Sequence, residues 1–449
     1  MAPGAVDLPT YTGQIRAPGG NAAPGTVALD ETAAIIAPGG APPRTVAYRD
    51  LAVVAITGGV GLLATGAGPG SERWLLEGFG AAAGPLVAAI RERRLRQRLA
   101  DAFVDLPDGT PVDLVEYRVP GEAGEAAEQG VAQLAVDGWG ATLAPLDERL
   151  PVRRVRRGAV GPVDLLPEVG GVRVDAGADG FDLLRLGAGA ARHRVRLAEL
   201  PAAAHRDAGA IVARIVPDLP SAAAGRAAAA LVDGRPASPG DLADAWDPVE
   251  RSVLGEPTFA ASYLALRARA GGTDALRWLA LAPERPGAPE SHRAWFLVAL
   301  PGNLVALELV SEGAHATYCF RAAPRATFTG GTGLTGIDPV AAGRTVAMVS
   351  AALVDARFLR EPMALPDDQL ATPKGTRYRL ALRALPSLAA ARAAFVARLV
   401  HRDEVGWGAA LDDLVAWHAA CRDEAAAWPG RSAQEAQVAE AAGGGDTTG

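Results

Sequence analysis

Positive charge in this chain gathers at three places where it could do chemistry. Residues 91–98 (RERRLRQR) hold five arginines, 152–157 (VRRVRR) hold four and 192–196 (RHRVR) hold three. A guanidinium offers a planar fork of donors, so each cluster could grip phosphate, RNA or an acidic peptide. The plain alternative is a solvated face, and for 91–98 a helix end whose cations suit the negative pole of the helix. Lys374 is the only lysine among 44 basic residues. Arginine in place of lysine throughout, with abundant Ala, Gly and Pro, is what a high-GC bacterial genome writes, so arginine content alone is not function. The net charge of −7 and pI near 5.5 argue against bulk attraction to nucleic acid or anionic lipid.

Other chemistry-bearing sets are thinner. His418 and Cys421 sit three residues apart, with His401 and Asp413 near in sequence, but a metal site needs three or four converging donors. No metal is expected. Residues 328–340 (FTGGTGLTGIDPV) form a Gly-rich stretch in which Asp338 caps a helix opened by Pro339. No Gly-Lys-Ser/Thr follows, so no nucleotide and no other cofactor is expected. His193, His205, His292 and His315 have no triad-like neighbours, and Ser311 and Ser350 lie in no nucleophile elbow. Trp407 and Trp417 read as helix-packing residues. Cys319 and Cys421 are too few for a disulfide-rich scaffold. The N-terminus shows no signal-peptide pattern, and the most apolar stretch, 295–310, is broken by Pro301-Gly302-Asn303. A cytoplasmic protein without a transmembrane segment is the expectation.

The elements that must position these residues come from a repeat. Residues 27–38 (VALDETAAIIAP) match 134–145 (LAVDGWGATLAP) without a gap, at an offset of 107. Ala28/Ala135, Asp30/Asp137, Ala34/Ala141, Ala37/Ala144 and Pro38/Pro145 are identical. The match continues with Val54 on Val163, then Gly58-Gly59-Val60 on Gly170-Gly171-Val172, then Trp74 on Val195 at an offset of 121. Gaps that open at turns are what a duplicated domain shows. In the first copy, short apolar runs from 11–15 to 73–79 read as strands, followed by a helix carrying Leu86, Ile90, Leu95, Leu99 and Phe103, then a turn at 107–109. In the second, strands are expected at 130–136, 141–146, 152–157, 163–166, 171–175, 181–186 and 193–197, with a helix over 202–216.

The run Gly25–Pro38, then Val46-Ala-Tyr-Arg-Asp-Leu51, with a Leu51-Ala-Val-Val54 step matched by Val160-Gly-Pro-Val163, resembles bacterial pleckstrin-homology-like and GRAM-like domains. The resemblance covers about half the chain and implies a strongly bent seven-stranded sheet capped by a helix. The fold class expected is therefore α+β: tandem modules at 8–106 and 110–220, a helical connector at 221–256, a C-terminal sheet-and-helices unit at 257–428, and a disordered tail at 429–449. In the C-terminal unit, strands are expected at 259–267, 276–281, 292–300, 304–309 and 316–321, and helices at 339–359, 378–401 and 408–427. This unit is also a candidate degenerate third copy.

Family members that bind phosphoinositides carry basic residues around the first strand pair. Here 17–25 (APGGNAAPG) and Asp137-Gly138-Trp139 carry none. The expected function is a non-catalytic scaffold or adaptor that binds a protein partner, with homo-oligomers compatible and nucleic acid disfavoured. A peripheral membrane or lipid-binding protein is the alternative, and an enzyme with its site in the C-terminal unit ranks below it. The candidate surface for an acidic partner is Arg192, Arg194 and Arg196, read as one face of a strand, with Arg154 and Arg156. On the opposite face of 153–157, two arginines must snorkel or pair with buried acid.

Overall fold

The computed structural model describes residues 8–65, 72–104, 113–121, 127–147, 150, 152–255, 257–310, 316–322, 338–372, 375–401, 404–420 and 428–430. The turn at 107–109, the glycines at 66–70, most of the Gly-rich stretch (328–337), Ser311, His315, Cys421 and the tail from 431 lie outside the described residues. The protein is mixed α+β with antiparallel sheets. It forms two compact units. One is Met1–Leu114 with Gly130–Ala135 and Thr142–Val152; the other is Val115–Gln129 with Val136–Ala141 and Arg153–Gly449.

The first sheet holds β1 (Thr10–Arg16), β2 (Ala22–Leu29), β3 (Ala33–Pro38), β4 (Arg44–Ala47), β5 (Leu51–Thr57), β6 (Val60–Thr65) and β7 (Arg73–Glu77) in the order β4-β3-β2-β1-β7-β6-β5. The first strand pairs with both the second and the last, which leaves β4 and β5 as edges. Helix α1 (Ala83–Asp101) follows. Its Leu86, Val87 and Ile90 join Ile15, Val27, Ile36 and Trp74 in one core. Residues one helical turn apart share a face, so an amphipathic helix can close the sheet's apolar side.

The second sheet repeats the plan: β8 (Asp113–Val119), β9 (Glu128–Asp137), β10 (Gly140–Pro145), β11 (Arg153–Arg156), β12 (Val163–Leu166), β13 (Gly171–Val174) and β14 (Phe181–Leu184), ordered β11-β10-β9-β8-β14-β13-β12, then helix α2 (Ala190–Ile215). Strand for strand the order equals that of the first sheet. Two expectations change. The module gains β8, and 193–197 is helix rather than strand. Arg-His-Arg-Val-Arg alternates in sequence, which reads as period two. The buried set His193, Leu197, Leu200, Ala204, Ala208 and Ile211 instead recurs every three or four residues. Pro201 lies inside the helix and broke the pattern in sequence.

The late part of the sequence alignment also changes. Trp74 is equivalent to Phe181, not Val195, because β7 matches β14. The offset there returns to 107, and backbone geometry shows it. Gly78 (φ 63°) matches Arg185 (φ 53°), and Gly80 (φ 54°) matches Gly187 (φ 55°). Both helices then start at the same offset.

Helices α3 (Ser221–Ala230), α4 (Pro239–Leu242), α5 (Trp246–Val253) and α6 (Pro257–Arg269) lead to a five-stranded sheet of β15 (Arg277–Pro283), β16 (His292–Leu300), β17 (Leu304–Val310), β18 (Ala316–Arg321) and a late strand. Helices α7 (Pro339–Asp355), α8 (Glu361–Ala364), α9 (Asp367–Ala371), α10 (Thr376–Ala384) and α11 (Pro386–Ala394) precede that strand, β19 (Phe395–Val400); α12 (Glu404–Ala420) follows it. The hairpin around Pro301-Gly302-Asn303 forms as read from sequence. The expected strand at 259–267 is α6, whose Tyr263 and Leu266 are buried one turn apart. The expected helix at 378–401 breaks into two helices and a strand. Phe395-Val-Ala-Arg-Leu-Val400 is apolar and β-branched enough to extend the sheet beside β18. The core here includes Trp246, Tyr263, Phe296 and Trp407, and Tyr263 stacks on Phe296 with centroids 4.1 Å apart.

Candidate functional site

The corner shared by both modules explains the identical aspartates. Asp30 accepts the N–H of Glu31 at 2.7 Å, and Asp137 accepts those of Trp139 and Gly140 at 2.8 and 3.0 Å. Aspartate at such a turn holds its own backbone. Asp137-Gly138-Trp139 therefore joins β9 to β10 and matches Asp30-Glu31-Thr32. The Asp137 carboxylate also lies 3.6 Å from Arg357, whose guanidinium covers the Trp139 ring at 3.9 Å.

Two strands further on, the modules part. Tyr48 and Arg157 are equivalent positions at the start of a 3-10 turn, and both are fully buried. Tyr48 donates to the Asp30 carbonyl at 2.9 Å, and burial pushes its phenol up to about 12. Arg157 donates to Asp207 of α2 at 2.6 Å and to Asp233 at 3.1 Å. Asp233 also accepts the Gly158 N–H, and Asp207 the Gly287 N–H at 2.9 Å. Burial raises the Asp233 carboxyl while Arg157 opposes that rise. One of the two inward arginines thus pairs with buried acid, one of the two outcomes that the alternation left open. The other, Arg153, donates to Glu128 at 2.7 Å and holds that carboxyl below its usual range.

The five candidate arginines occupy different settings. Arg154 and Arg156 are half-buried on β11. Arg192, Arg194 and Arg196 stand on α2, where Arg192 and Arg196, four residues apart, share a face and Arg194 does not. Arg192 is exposed, Arg194 donates to the Val163 carbonyl at 3.2 Å, and Arg196 donates to that of Val136 at 2.7 Å. In the first module Arg91 donates to the Val54 carbonyl at 2.9 Å, and Arg98 to that of Pro145 at 2.5 Å. Arg94 is buried. The 91–98 cluster is therefore partly a set of ties to neighbouring backbone rather than a solvated end. Asp182, on β14, was not singled out from sequence. Burial pushes it up, but Arg173 and Arg118 at 2.9 and 2.5 Å outweigh that and hold it low.

In the C-terminal sheet one acid stands out. Glu308 on β17 is 1% exposed, and burial pushes its carboxyl up to about 8. Thr317 donates to it at 2.6 Å, His401 lies 3.6 Å away, and Trp407 donates to Thr317 at 3.1 Å. Thr317 is 0% exposed, so no substrate reaches it as a nucleophile. His418 serves the hairpin: its Nδ1 bonds the Gly302 carbonyl at 2.9 Å and its Nε2 accepts from Arg321. Ser350 accepts from Trp295 in the core. Asp338 caps α7 as expected, accepting from Val340 and Ala341. A cleft of about 390 Å³ is lined by Met363, Leu382, Phe395 and Arg392. Arg392 spends its donors on the carbonyls of Pro362 and Leu365 and on Asp367. Among the described residues no group of three His, Cys, Asp or Glu is placed to hold a metal, and no helix is long and apolar enough to cross a membrane.

No protein-family model matches the chain, and no curated protein matches it.

Proposed function

We propose that the chain is a cytoplasmic, non-catalytic scaffold built on two pleckstrin-homology-like modules. The observation that carries this is the repeated strand order, with the first strand paired to the last and a helix after the seventh. That plan agrees with the family resemblance of the sequence. Duplicated modules raise effective concentration for a partner with two contact points. The docking surface in this reading is the outer side of α2 at Arg192, with Arg154 and Arg156 on β11 as further candidates, and the partner is an acidic protein segment. Arg192 is exposed on α2, whose Arg194 and Arg196 bond strand carbonyls.

The test is affinity capture from the native host with the full chain as bait, beside Arg192→Glu. A partner with an acidic surface that the parent retains and the variant loses supports the scaffold. Equal capture by both removes Arg192 from the interface. Binding to phosphatidylglycerol vesicles that falls with salt, without protein capture, would replace the scaffold by a lipid-binding role.

A further inference from the structure

The C-terminal helix of each module reaches the same place on its own sheet. Arg91 of α1 donates its Nε–H to the carbonyl of Val54, on edge strand β5, at 2.9 Å. Arg194 of α2 donates its Nε–H to the carbonyl of Val163, on edge strand β12, at 3.2 Å. Val54 and Val163 are equivalent in the repeat, but the arginines are not: the position of α1 that matches Arg194 is Val87. Two different helical turns supply the same bond to the same carbonyl.

The Val163 carbonyl faces away from the sheet. Asp175 donates its N–H to the Pro162 carbonyl at 3.0 Å, and Val163 pairs with Val174 across the ladder. Backbone groups alternate sides along a strand, so those of Val163 and Leu165 point outward. An edge with outward N–H and C=O groups is a template for another strand. The setting here is apolar enough to favour pairing, since Leu165 is 43% exposed and Val195, on α2, is 69% exposed. A charged side chain laid across the edge opposes pairing by blocking a carbonyl and by repelling its own copy. On β5 a bulge between Leu51 and Val53 adds to the block.

We propose that Arg91 and Arg194 are edge caps that keep β5 and β12 from pairing with the same strands of a second copy of this chain. A partner of the scaffold then docks elsewhere than by strand addition at these two edges. The inference stands on edge geometry alone and does not rest on the acidic partner proposed above.

The experiment compares the full chain with Arg91→Ala/Arg194→Ala and with Arg194→Ala alone, by sedimentation across a concentration series, with far-UV circular dichroism. The expected result is native helix content and a mass that climbs toward twice that of the parent as concentration rises. Hydrogen exchange at Val163 and Leu165 should slow in the associated form. Variants that keep native helix content and the parent's mass at every concentration overturn the proposal. Loss of helix signal in both variants would assign the arginines to holding helix on sheet, and would equally overturn it.

Discussion

Two buried ionisable side chains define what single residues contribute. Glu308 is protonated in the fold up to about pH 8, whereas a free glutamate ionises near 4.5. Between those values the native state holds a proton that the unfolded chain has lost. Stability therefore falls as pH rises through that window, by at most about 1.4 kcal/mol per pH unit, and is flat above it. Glu308→Gln keeps an acceptor for Thr317 and removes the titration. Urea midpoints at pH 5 and pH 8 should differ in the parent and converge in the variant; equal slopes would show that Glu308 is not the titrating group. Arg157 is the opposite case, a cation between two acids. Arg157→Leu strands Asp207 and Asp233 and should destabilise by about 3–5 kcal/mol. Tyr48→Phe, at the equivalent place, loses one hydrogen bond and should cost about 1 kcal/mol. Similar losses for the two would contradict the arrangement.

At the scale of elements, the turn before each capping helix is held by left-handed backbone. Arg185 adopts φ 53° where the first module has Gly78. A side chain there is strained, and its ion pair with Glu116 is exposed and worth little. Arg185→Gly should raise stability by roughly 0.5–1 kcal/mol, and Gly187→Ala should lower it by a similar amount. A reversed sign in thermal melts would remove strain as the cause. Helix α2 itself changes what charge reversal does. Arg194→Glu and Arg196→Glu lose backbone bonds and should lower the melting temperature. Strands of the first module were legible because each short apolar run is bounded by glycine, proline or aspartate. Residues 193–197 were not, because five residues fit a strand and only the next fifteen show the helical spacing.

For the whole molecule, the duplication is not two copies of one autonomous part. The second module completes its buried Arg157 with Asp233 and, through Asp207, with the N–H of Gly287, both beyond its own helix. A chain ending at residue 220 lacks both. Its second module is expected to lose a cooperative melting transition and to be cut by protease where the full chain resists. A fragment that melts as sharply as the full chain would show that Asp233 and the Gly287 N–H are dispensable. The third sheet runs β15-β16-β17-β18-β19 in sequence order, unlike the first two, and takes its last strand from beyond five helices.

Sequence by itself determined the antiparallel α+β class, the repeat, the strands of the first module, the hairpin at Pro301-Gly302-Asn303 and the Asp338 cap. These are local: turn residues and alternation act over a few positions, and chain neighbours supply the physics. Tertiary structure alone decided which basic residues are spent. Nothing in VRRVRR marks Arg157 as the buried member, since its acids lie 50 and 76 residues away. Nothing in RHRVR shows that Arg194 and Arg196 end on strand carbonyls. The energy of a charge depends on what surrounds it in space, and only folding brings those partners within hydrogen-bonding distance.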